Sequence, residues 1–184
     1  FAQNDIEGAT HICRDMLSNI TAIIMPIMAF MGACSHPIIK LLYQRGEFTA
    51  QDTASVSALL GIYAIGMIFL SWQDIFNKYF YSMQKSVVPM ICAAVGIVCN
   101  LAFSVILTSH FGLQGLALST VIAGVIMTAC LSLFSFKITK SIFTKHFALE
   151  LIKLTVSGLC VFVLCKILTN IINSGGSFLL ETLK

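Results

Sequence analysis

Charged residues are scarce in this sequence: Asp, Glu, Lys and Arg make up 10% of its 184 residues, whereas hydrophobic residues make up 58%. A soluble domain of ordinary composition carries about 25% charged residues. A compact domain of this size buries only about 70% of the surface of its unfolded chain, so a water-soluble fold cannot hide this much apolar surface. The composition therefore excludes a soluble globular domain and indicates a membrane protein. A net charge of only +3, without a basic stripe, also argues against a nucleic-acid-binding protein.

The sequence also lacks the residue clusters of an enzyme or of a structural metal site. No CxxC pair occurs among the seven cysteines, and no His/Cys group has metal-ligand spacing. The four histidines are scattered, without Ser, Cys or acidic partners in a recognisable catalytic arrangement. We therefore expect a protein that is not an enzyme and has no catalytic residues. Its cysteines are interpreted as small helix-packing residues, with a disulfide or metal role as the alternative.

Long apolar runs, by contrast, are abundant. A helix needs about 20 predominantly apolar residues to cross a bilayer, and five runs reach that length. They cover residues 16–43, 53–82, 87–109, 112–137 and 147–172. Strands are not indicated, because alternation with a period of two is absent and open sheet edges cannot face lipid. The predicted fold is an all-α, polytopic transmembrane bundle of about five spanning helices.

The segments around these runs predict the domain organisation. It consists of a cytoplasmic lead-in segment (1–15), four transmembrane helices (16–137), a basic cytoplasmic loop (138–146), an additional transmembrane helix (147–172) and a truncated external loop (173–184). The chain begins at Phe1 without an initiator Met or a signal peptide, so we expect a piece of a longer protein. Pro26 and Pro37 each remove a backbone donor from the first span and favour kinks there.

Basic residues in the short loops predict the orientation of the spans. Cytoplasmic loops carry an excess of Lys and Arg. The second and fourth loops are the basic ones, with Lys78, Lys85, Lys137, Lys140 and Lys145. The third loop has no Lys or Arg, and the basic residues of the first loop are offset by acids. The amino end is therefore predicted inside the cell and the carboxyl end outside.

Polar groups inside the spans are candidate functional residues, because they are costly in a bilayer. Asp74 either lines a cavity or gate together with Lys78, or pairs with that lysine one turn later. Asn100, with Ser104 one turn on and Thr120 in the next span, offers amide and hydroxyl oxygens that suit a hard cation such as Na⁺. The alternative for this group is an interhelical hydrogen bond.

Several short motifs follow one another in an order that resembles a known family. They are Pro37-Ile-Ile-Lys-Leu-Leu-Tyr-Gln-Arg45-Gly46-Glu47-Phe48-Thr49-Ala-Gln-Asp52-Thr53, Tyr63…Gly66, Phe80-Tyr81-Ser82…Pro89, Asn100-Leu-Ala-Phe and His110-Phe-Gly112-Leu-Gln-Gly115-Leu-Ala-Leu-Ser-Thr120. Together they resemble the MurJ (MviN) lipid II flippase family of the MOP exporter superfamily. The family-motif loop is carried by Arg45, Gly46, Phe48, Thr49 and Asp52.

The resemblance implies a bundle of two lobes, of which this chain would be a piece of the C-terminal lobe followed by an added helix. It implies a multi-pass protein of the bacterial plasma membrane that serves peptidoglycan and cell-wall biogenesis. Such a protein moves lipid II, a saccharide linked to undecaprenyl pyrophosphate, across the bilayer by alternating access. Its partners would be the bilayer, lipid II and the missing first lobe of the same polypeptide. The alternatives are a related exporter of polyprenyl-linked oligosaccharides or of drugs, and a non-transporting membrane scaffold.

The resemblance also implies site residues. No cofactor is expected except Na⁺ as a coupling ion, held near Asn100 and Thr120, with Ser104 and Leu116 completing the set. Ser104 stands where some members have an acid, which predicts weaker binding. An apolar groove for the lipid tail would be lined by Leu159, Val161 and Leu164. The arginines that the family uses for the pyrophosphate lie on helices that this chain does not include.

Overall fold

The computed structural model describes residues 6–138 and 145–182. Within these ranges it contains helices and no strand: α1 (Ile6–Ala33), α2 (Ser35–Tyr43), α3 (Ala50–Ser82), α4 (Val87–Phe111), α5 (Leu113–Ile138) and α6 (Lys145–Thr182). Five segments are long and apolar enough to cross a membrane, namely Gly8–Ala33, Ala50–Ser82, Val87–Phe111, Leu113–Ile138 and Leu149–Ile171. The predicted all-α transmembrane bundle is confirmed.

The first predicted span, 16–43, differs from the observed helices at both of its ends. The helix begins ten residues earlier, at Ile6, so the described part of the lead-in segment forms one helix, α1, with the span. It ends at Ala33, and a separate short helix, α2, follows after Cys34. The interruption has a local cause: Pro37 has no N–H to donate to the carbonyl of Ala33, and its ring crowds that carbonyl. Pro26, in contrast, lies inside α1 without ending it.

The last helix also departs from the prediction. The Gly-rich segment after residue 172 was expected to form an external loop, but α6 continues to Thr182. Of the predicted basic loop 138–146, residues 139–144 lie outside the described part of the chain.

A standard C-terminal cap ends α3 just before α4 begins. The C-terminus of α3 closes with a Schellman motif, in which the N–H of Lys85 bonds to the carbonyl of Phe80 (2.9 Å) and the N–H of Gln84 to that of Tyr81 (3.0 Å). Gln84 takes the left-handed conformation that this motif requires (φ 57°). This cap turns the chain directly from α3 into α4.

Helix α3 lies at the centre of the bundle. It packs against α1 on one side and α5 on the other, α4 packs mainly against α5, and α6 packs against α1. The best-buried side chains gather around α3 and its neighbours: Leu17, Phe76, Phe80, Leu131 and Phe147 are at most 1% exposed. Large apolar side chains elsewhere, such as Ile97, Leu101 and Val105 on α4, are about two-thirds exposed, as expected for a surface that faces lipid.

Candidate functional site

The hairpin of α4 and α5 brings the predicted cation-site residues together. The two helices are joined by a single residue, Gly112, whose backbone (φ 57°, ψ −135°) is accessible to glycine but rarely to other residues. Two residues into α5, Gly115 lies so close to α4 that a Cβ at this position would be 2.1 Å from the carbonyl oxygen of Leu107. The backbones of α4 and α5 are therefore in direct contact at this end of the hairpin, and the polar side chains of the next turns face each other.

A continuous chain of oxygen atoms crosses this interface. Its links are Ser104 Oγ to Asn100 Oδ1 (3.3 Å), Ser104 Oγ to Ser119 Oγ (2.8 Å), Ser119 Oγ to the Leu116 carbonyl (2.8 Å) and Thr120 Oγ1 to the same carbonyl (3.1 Å). All four residues predicted from the sequence, Asn100, Ser104, Leu116 and Thr120, belong to this network.

The central member of the network, Ser119, was missed by the sequence analysis. Ser119 is fully buried, and its hydroxyl is the one that meets α4. Thr120, expected to face α4, instead donates to the carbonyl of Leu116 on its own helix. The stripe of small residues Gly115, Ser119 and Ala123 at four-residue spacing is the signal that could have identified Ser119, because such stripes mark the face of a membrane helix that contacts a neighbour.

The network holds more oxygen contacts than protons. Four oxygen–oxygen links are served by the three hydroxyl protons of Ser104, Ser119 and Thr120. The single proton of Ser104 is shared between two acceptors if Ser119 donates to the Leu116 carbonyl, and the longer link, to Asn100 Oδ1, is then the weaker one. The cluster therefore presents lone pairs that a hard cation would satisfy. The cluster contains no carboxylate, so its oxygen atoms carry only partial negative charges.

Asp74 and Lys78 form the local ion pair that was one of the two predicted alternatives. Asp74 Oδ2 lies 2.7 Å from Lys78 Nζ, one helical turn away on α3, and both side chains are about two-thirds exposed. Lys78 also lines a cavity of about 210 Å³ between α1 and α3, whose apolar walls include Ile12, Met16 and Ile75. Of the pair, Lys78 therefore borders a small apolar recess.

The family-motif loop leads into α3 and caps its N-terminus. The carbonyl of Arg45 accepts from the N–H of Phe48 (3.2 Å), which closes a turn around Gly46 (φ 59°). Thr49 and Asp52 then form a capping box, with the Asp52 N–H bonded to Thr49 Oγ1 (3.2 Å) and the Thr49 N–H to Asp52 Oδ2 (2.9 Å). The pattern of Gly, Thr and Asp is therefore explained by a turn followed by a helix N-cap.

The three residues that were predicted to line the lipid-tail groove lie on α6, and two of them are mostly exposed. Leu159 and Leu164 are 65% and 59% exposed, and Val161 is half-buried. Among the described helices, α6 packs mainly against α1, and its Phe147 also lies against Trp72 of α3. Many large apolar side chains on the rest of α6 are exposed, among them Leu149, Ile152, Val156, Ile167 and Leu168, as expected for a surface that faces lipid.

Interhelical hydrogen bonds near the core join α1 to α3, and the sequence analysis did not identify them. The Trp72 indole donates to Thr21 Oγ1 (2.8 Å), and the hydroxyls of Thr10 and Tyr79 lie 3.2 Å apart. The Trp72 ring also lies against Phe147 of α6, with ring centroids 6.4 Å apart. Within the described ranges, no group of three or more His, Cys, Asp or Glu side chains could hold a metal ion. The α4–α5 oxygen network is therefore the best candidate for a ligand site in this part of the chain.

Comparison with known proteins points to one family. The family model for the lipid II flippase MurJ matches residues 1–182. A probable lipid II flippase MurJ of Bdellovibrio bacteriovorus is 35% identical over 92 residues, which are 50% of this chain and 18% of that protein. The lipid II flippase MurJ of Thermosipho africanus is 28% identical over 123 residues, or 67% of this chain and 26% of its own length.

The fold matches as well. A solved structure of a lipid II flippase MurJ in an inward closed conformation superimposes with a TM-score of 0.76 at 25% identity, covering 99% of this chain and 41% of that protein. The chain thus spans less than half of the solved flippase that it resembles.

Proposed function

Because this chain belongs to the lipid II flippase MurJ family, we propose that the protein of which it forms part moves lipid II across the bacterial plasma membrane. One observation carries the proposal: both the family model and the solved flippase match nearly the whole chain, residues 1–182 for the former and 99% of the chain for the latter. The chain is a multi-pass membrane protein with five helices able to span a bilayer.

Transport of this kind requires binding and conformational change, without covalent chemistry on the substrate. The described helices suit that task because hydrogen bonds between them fix their relative positions. Trp72 of α3 bonds to Thr21 of α1, and Thr128 of α5 bonds to the Phe69 carbonyl of α3 (3.0 Å). Such contacts make α1, α3 and α5 a unit that can move as one body against another part of the protein. Alternating access is then a rigid-body motion between lobes.

The exposed apolar face of α6 supports a role in holding the lipid tail. Leu159, Val161 and Leu164 lie on a helix that packs mainly against α1 among the described helices, which leaves room for an acyl or polyprenyl chain alongside it. A long hydrocarbon tail is bound by contact with such side chains rather than by polar groups. We therefore assign these residues to the groove that would hold the undecaprenyl tail.

The α4–α5 oxygen network supports Na⁺ as the coupling ion. The oxygen atoms that would bind the ion belong to an amide, to hydroxyls and to a backbone carbonyl, which are all hard ligands of the kind that Na⁺ takes. Asn100 Oδ1, Thr120 Oγ1 and the Leu116 carbonyl would hold the ion, and Ser104 and Ser119 would orient them. The absence of a carboxylate from the network predicts weak binding. When bound, the ion would draw α4 and α5 together and so bias the conformation of the lobe, by no more than its difference in affinity between the two states.

Transport is tested with the full-length protein in a bacterium depleted of its own flippase. The assay measures how much lipid II an externally added lipid II-cleaving enzyme can destroy. We expect the full-length protein to restore both growth and cleavage, whereas residues 1–184 alone restore neither. Growth without any recovery of lipid II cleavage would contradict the proposed substrate.

The cation is tested separately, by the thermal stability of the purified full-length protein in Na⁺ against choline at equal ionic strength. We expect a Na⁺ stabilisation of about 1 kcal/mol, the low end of allosteric couplings, that is lost in Asn100→Ala and Thr120→Val. Ser132→Ala is the matched control, because the Ser132 hydroxyl bonds to its own helix at the Ala129 carbonyl (2.8 Å), away from the network. A parent without a Na⁺ response, or variants that keep it, would leave the network as an interhelical hydrogen-bonding cluster only.

A further inference from the structure

The recess between α1 and α3 lies at the end of the bundle where α1 begins and α3 ends. Its volume is about 210 Å³, and its walls include Ile12, Met16 and Ile75. Ile12 and Met16 are 41% and 50% exposed. Tyr79 also lines the recess, and its hydroxyl lies 3.2 Å from that of Thr10 on α1, with both side chains buried. The contact between the two helices therefore holds the recess in shape.

The position of the recess along the helices places it at the level of lipid headgroups. It is lined at one end by Ala9 and Ser82, which lie at the ends of the candidate spans Gly8–Ala33 and Ala50–Ser82. These spans have 26 and 33 residues, whereas about 20 residues cross the hydrocarbon, so their ends reach the headgroup region. Tyr81, beside Ser82, is 57% exposed, as is typical of a tyrosine at a membrane–water interface. The predicted orientation assigns this end to the cytoplasmic face and thus to the inner leaflet.

The size and lining of the recess favour part of a hydrocarbon chain as its occupant. Sites for drug-sized molecules have volumes of about 300–1,000 Å³, which is larger than this recess. The side chains of Ile12, Met16 and Ile75 offer apolar contacts and no hydrogen-bonding groups. An acyl chain lying against them would cover apolar surface that is now exposed, which is favourable in the aqueous headgroup region.

Charges of both signs lie beside this apolar recess. Lys78 borders it, and Asp74 Oδ2 lies 2.7 Å from Lys78 Nζ, with the two side chains 64% (Asp74) and 68% (Lys78) exposed. Exposed ion pairs are weak, so both groups can exchange partners. A headgroup that carries only a phosphate would be attracted by Lys78 and repelled by Asp74. A headgroup that carries a phosphate and an ammonium would meet an opposite charge at each end.

We propose that the recess and the Asp74–Lys78 pair form a binding site for an aminophospholipid of the inner leaflet, such as phosphatidylethanolamine. One acyl chain lies in the recess, the phosphate accepts hydrogen bonds from Lys78, and the primary ammonium donates to Asp74. A quaternary ammonium, as in phosphatidylcholine, has no N–H to donate to Asp74. The site therefore selects the aminophospholipid, and the bound lipid would join α1 to α3 at the cytoplasmic end of the bundle.

Lipid selectivity is measured with the purified full-length protein in detergent, to which phosphatidylethanolamine, phosphatidylcholine or phosphatidylglycerol with identical acyl chains is added. Native mass spectrometry measures the bound lipid, and thermal unfolding measures the stabilisation. We expect phosphatidylethanolamine to raise the unfolding midpoint and to bind about fivefold more tightly than the other two lipids, the upper end for one exposed ion pair. Equal binding of phosphatidylethanolamine and phosphatidylglycerol would overturn the proposal. So would the absence of bound lipid, which would indicate that another part of the polypeptide covers the recess.

Variants of the ion pair test the assignment of the headgroup. Asp74→Asn leaves Lys78 without its acid, so phosphatidylglycerol should now bind more tightly than phosphatidylethanolamine. Lys78→Gln should weaken the binding of phosphatidylethanolamine about fivefold. Lys85→Gln is the matched control, because Lys85 is an exposed lysine at the same end of the bundle that does not line the recess, and it should leave the binding unchanged. An Asp74→Asn protein that still prefers phosphatidylethanolamine would contradict the proposed contact with the ammonium.

Ile12→Trp tests the position of the acyl chain, because a larger side chain fills the recess without changing the charges beside it. We expect weaker binding of phosphatidylethanolamine than in the unmutated protein. Ile97→Trp, at a 69% exposed position on α4, is the control and should bind the lipid normally. Unchanged binding in the Ile12→Trp protein would show that the lipid lies elsewhere. The reversal expected for Asp74→Asn does not depend on whether Ile12→Trp folds, because the Asp74 side chain is mostly exposed.

Discussion

Replacing Gly115 by alanine is the sharpest test of the α4–α5 hairpin. A Cβ on Gly115 would lie 2.1 Å from the Leu107 carbonyl oxygen and 2.4 Å from its carbon, whereas real Cβ contacts essentially never fall below 3.0 Å. The α4 and α5 backbones would have to separate by about 1 Å, because the clashing atoms belong to the main chain and cannot rotate away. Overpacking of this kind costs about 3 kcal/mol, the upper end of its usual range.

Two other glycines serve as matched controls. At Gly66 a Cβ would lie 2.9 Å from Cγ2 of Val121, a side chain that can shift, and at Gly61 it would meet nothing within 4 Å. Alanine in place of glycine inside a helix gains about 1 kcal/mol in each case. The net effects are therefore a loss of about 2 kcal/mol for Gly115→Ala, a change near zero for Gly66→Ala and a gain of about 1 kcal/mol for Gly61→Ala.

Thermal unfolding of the full-length protein in detergent measures this order. Buried cysteines such as Cys13 and Cys92 react with a fluorescent maleimide only when the bundle opens, so they report the unfolding midpoint. We expect the midpoints to rise from Gly115→Ala through Gly66→Ala to Gly61→Ala, with Gly115→Ala also losing any Na⁺ response because Ser119 lies one turn further along α5. A Gly115→Ala midpoint at or above that of Gly61→Ala would refute the direct backbone contact between α4 and α5.

The remaining predictions concern orientation, the α6 face and the cap of α3. Single cysteines introduced at Glu47 and His110 should react with a membrane-impermeant maleimide from outside, and one at Lys85 should not; the reverse pattern would invert the topology. Leu164→Asp should abolish flippase activity in the full-length protein, since an acid near mid-bilayer costs about 3 kcal/mol. Leu164→Ile should retain the activity. Normal transport by the Asp variant would show that this face of α6 does not contact the lipid tail. Thr49→Ala removes the capping box and should lower stability by about 1 kcal/mol, and Thr49→Ser should restore it; equal midpoints for the two variants would argue that the cap contributes nothing.

Several features of the site could be predicted because they depend on residues close in sequence. Asp74 and Lys78 pair because one helical turn separates them, and the loop from Arg45 to Asp52 forms a turn and a cap because Gly, Thr and Asp occupy the required positions. The break at Cys34 was not placed correctly, although Pro37 was recognised, because a proline acts on the carbonyl four residues earlier and its effect depends on how the flanking helices are held.

The sequence by itself determined that the chain crosses a membrane, roughly where each span lies, and which family it belongs to. The first two properties follow from contiguous runs of apolar residues, since the thickness of a bilayer acts on consecutive residues of one helix. The family followed from the resemblance of several ordered motifs. Only the tertiary structure decided that Ser119 rather than Thr120 meets α4 and that Trp72 bonds to Thr21. In a soluble helix the apolar stripe marks the face that packs. In this chain the lipid-facing and neighbour-facing sides are both apolar, so the rotation of each helix is set by close packing across the whole bundle.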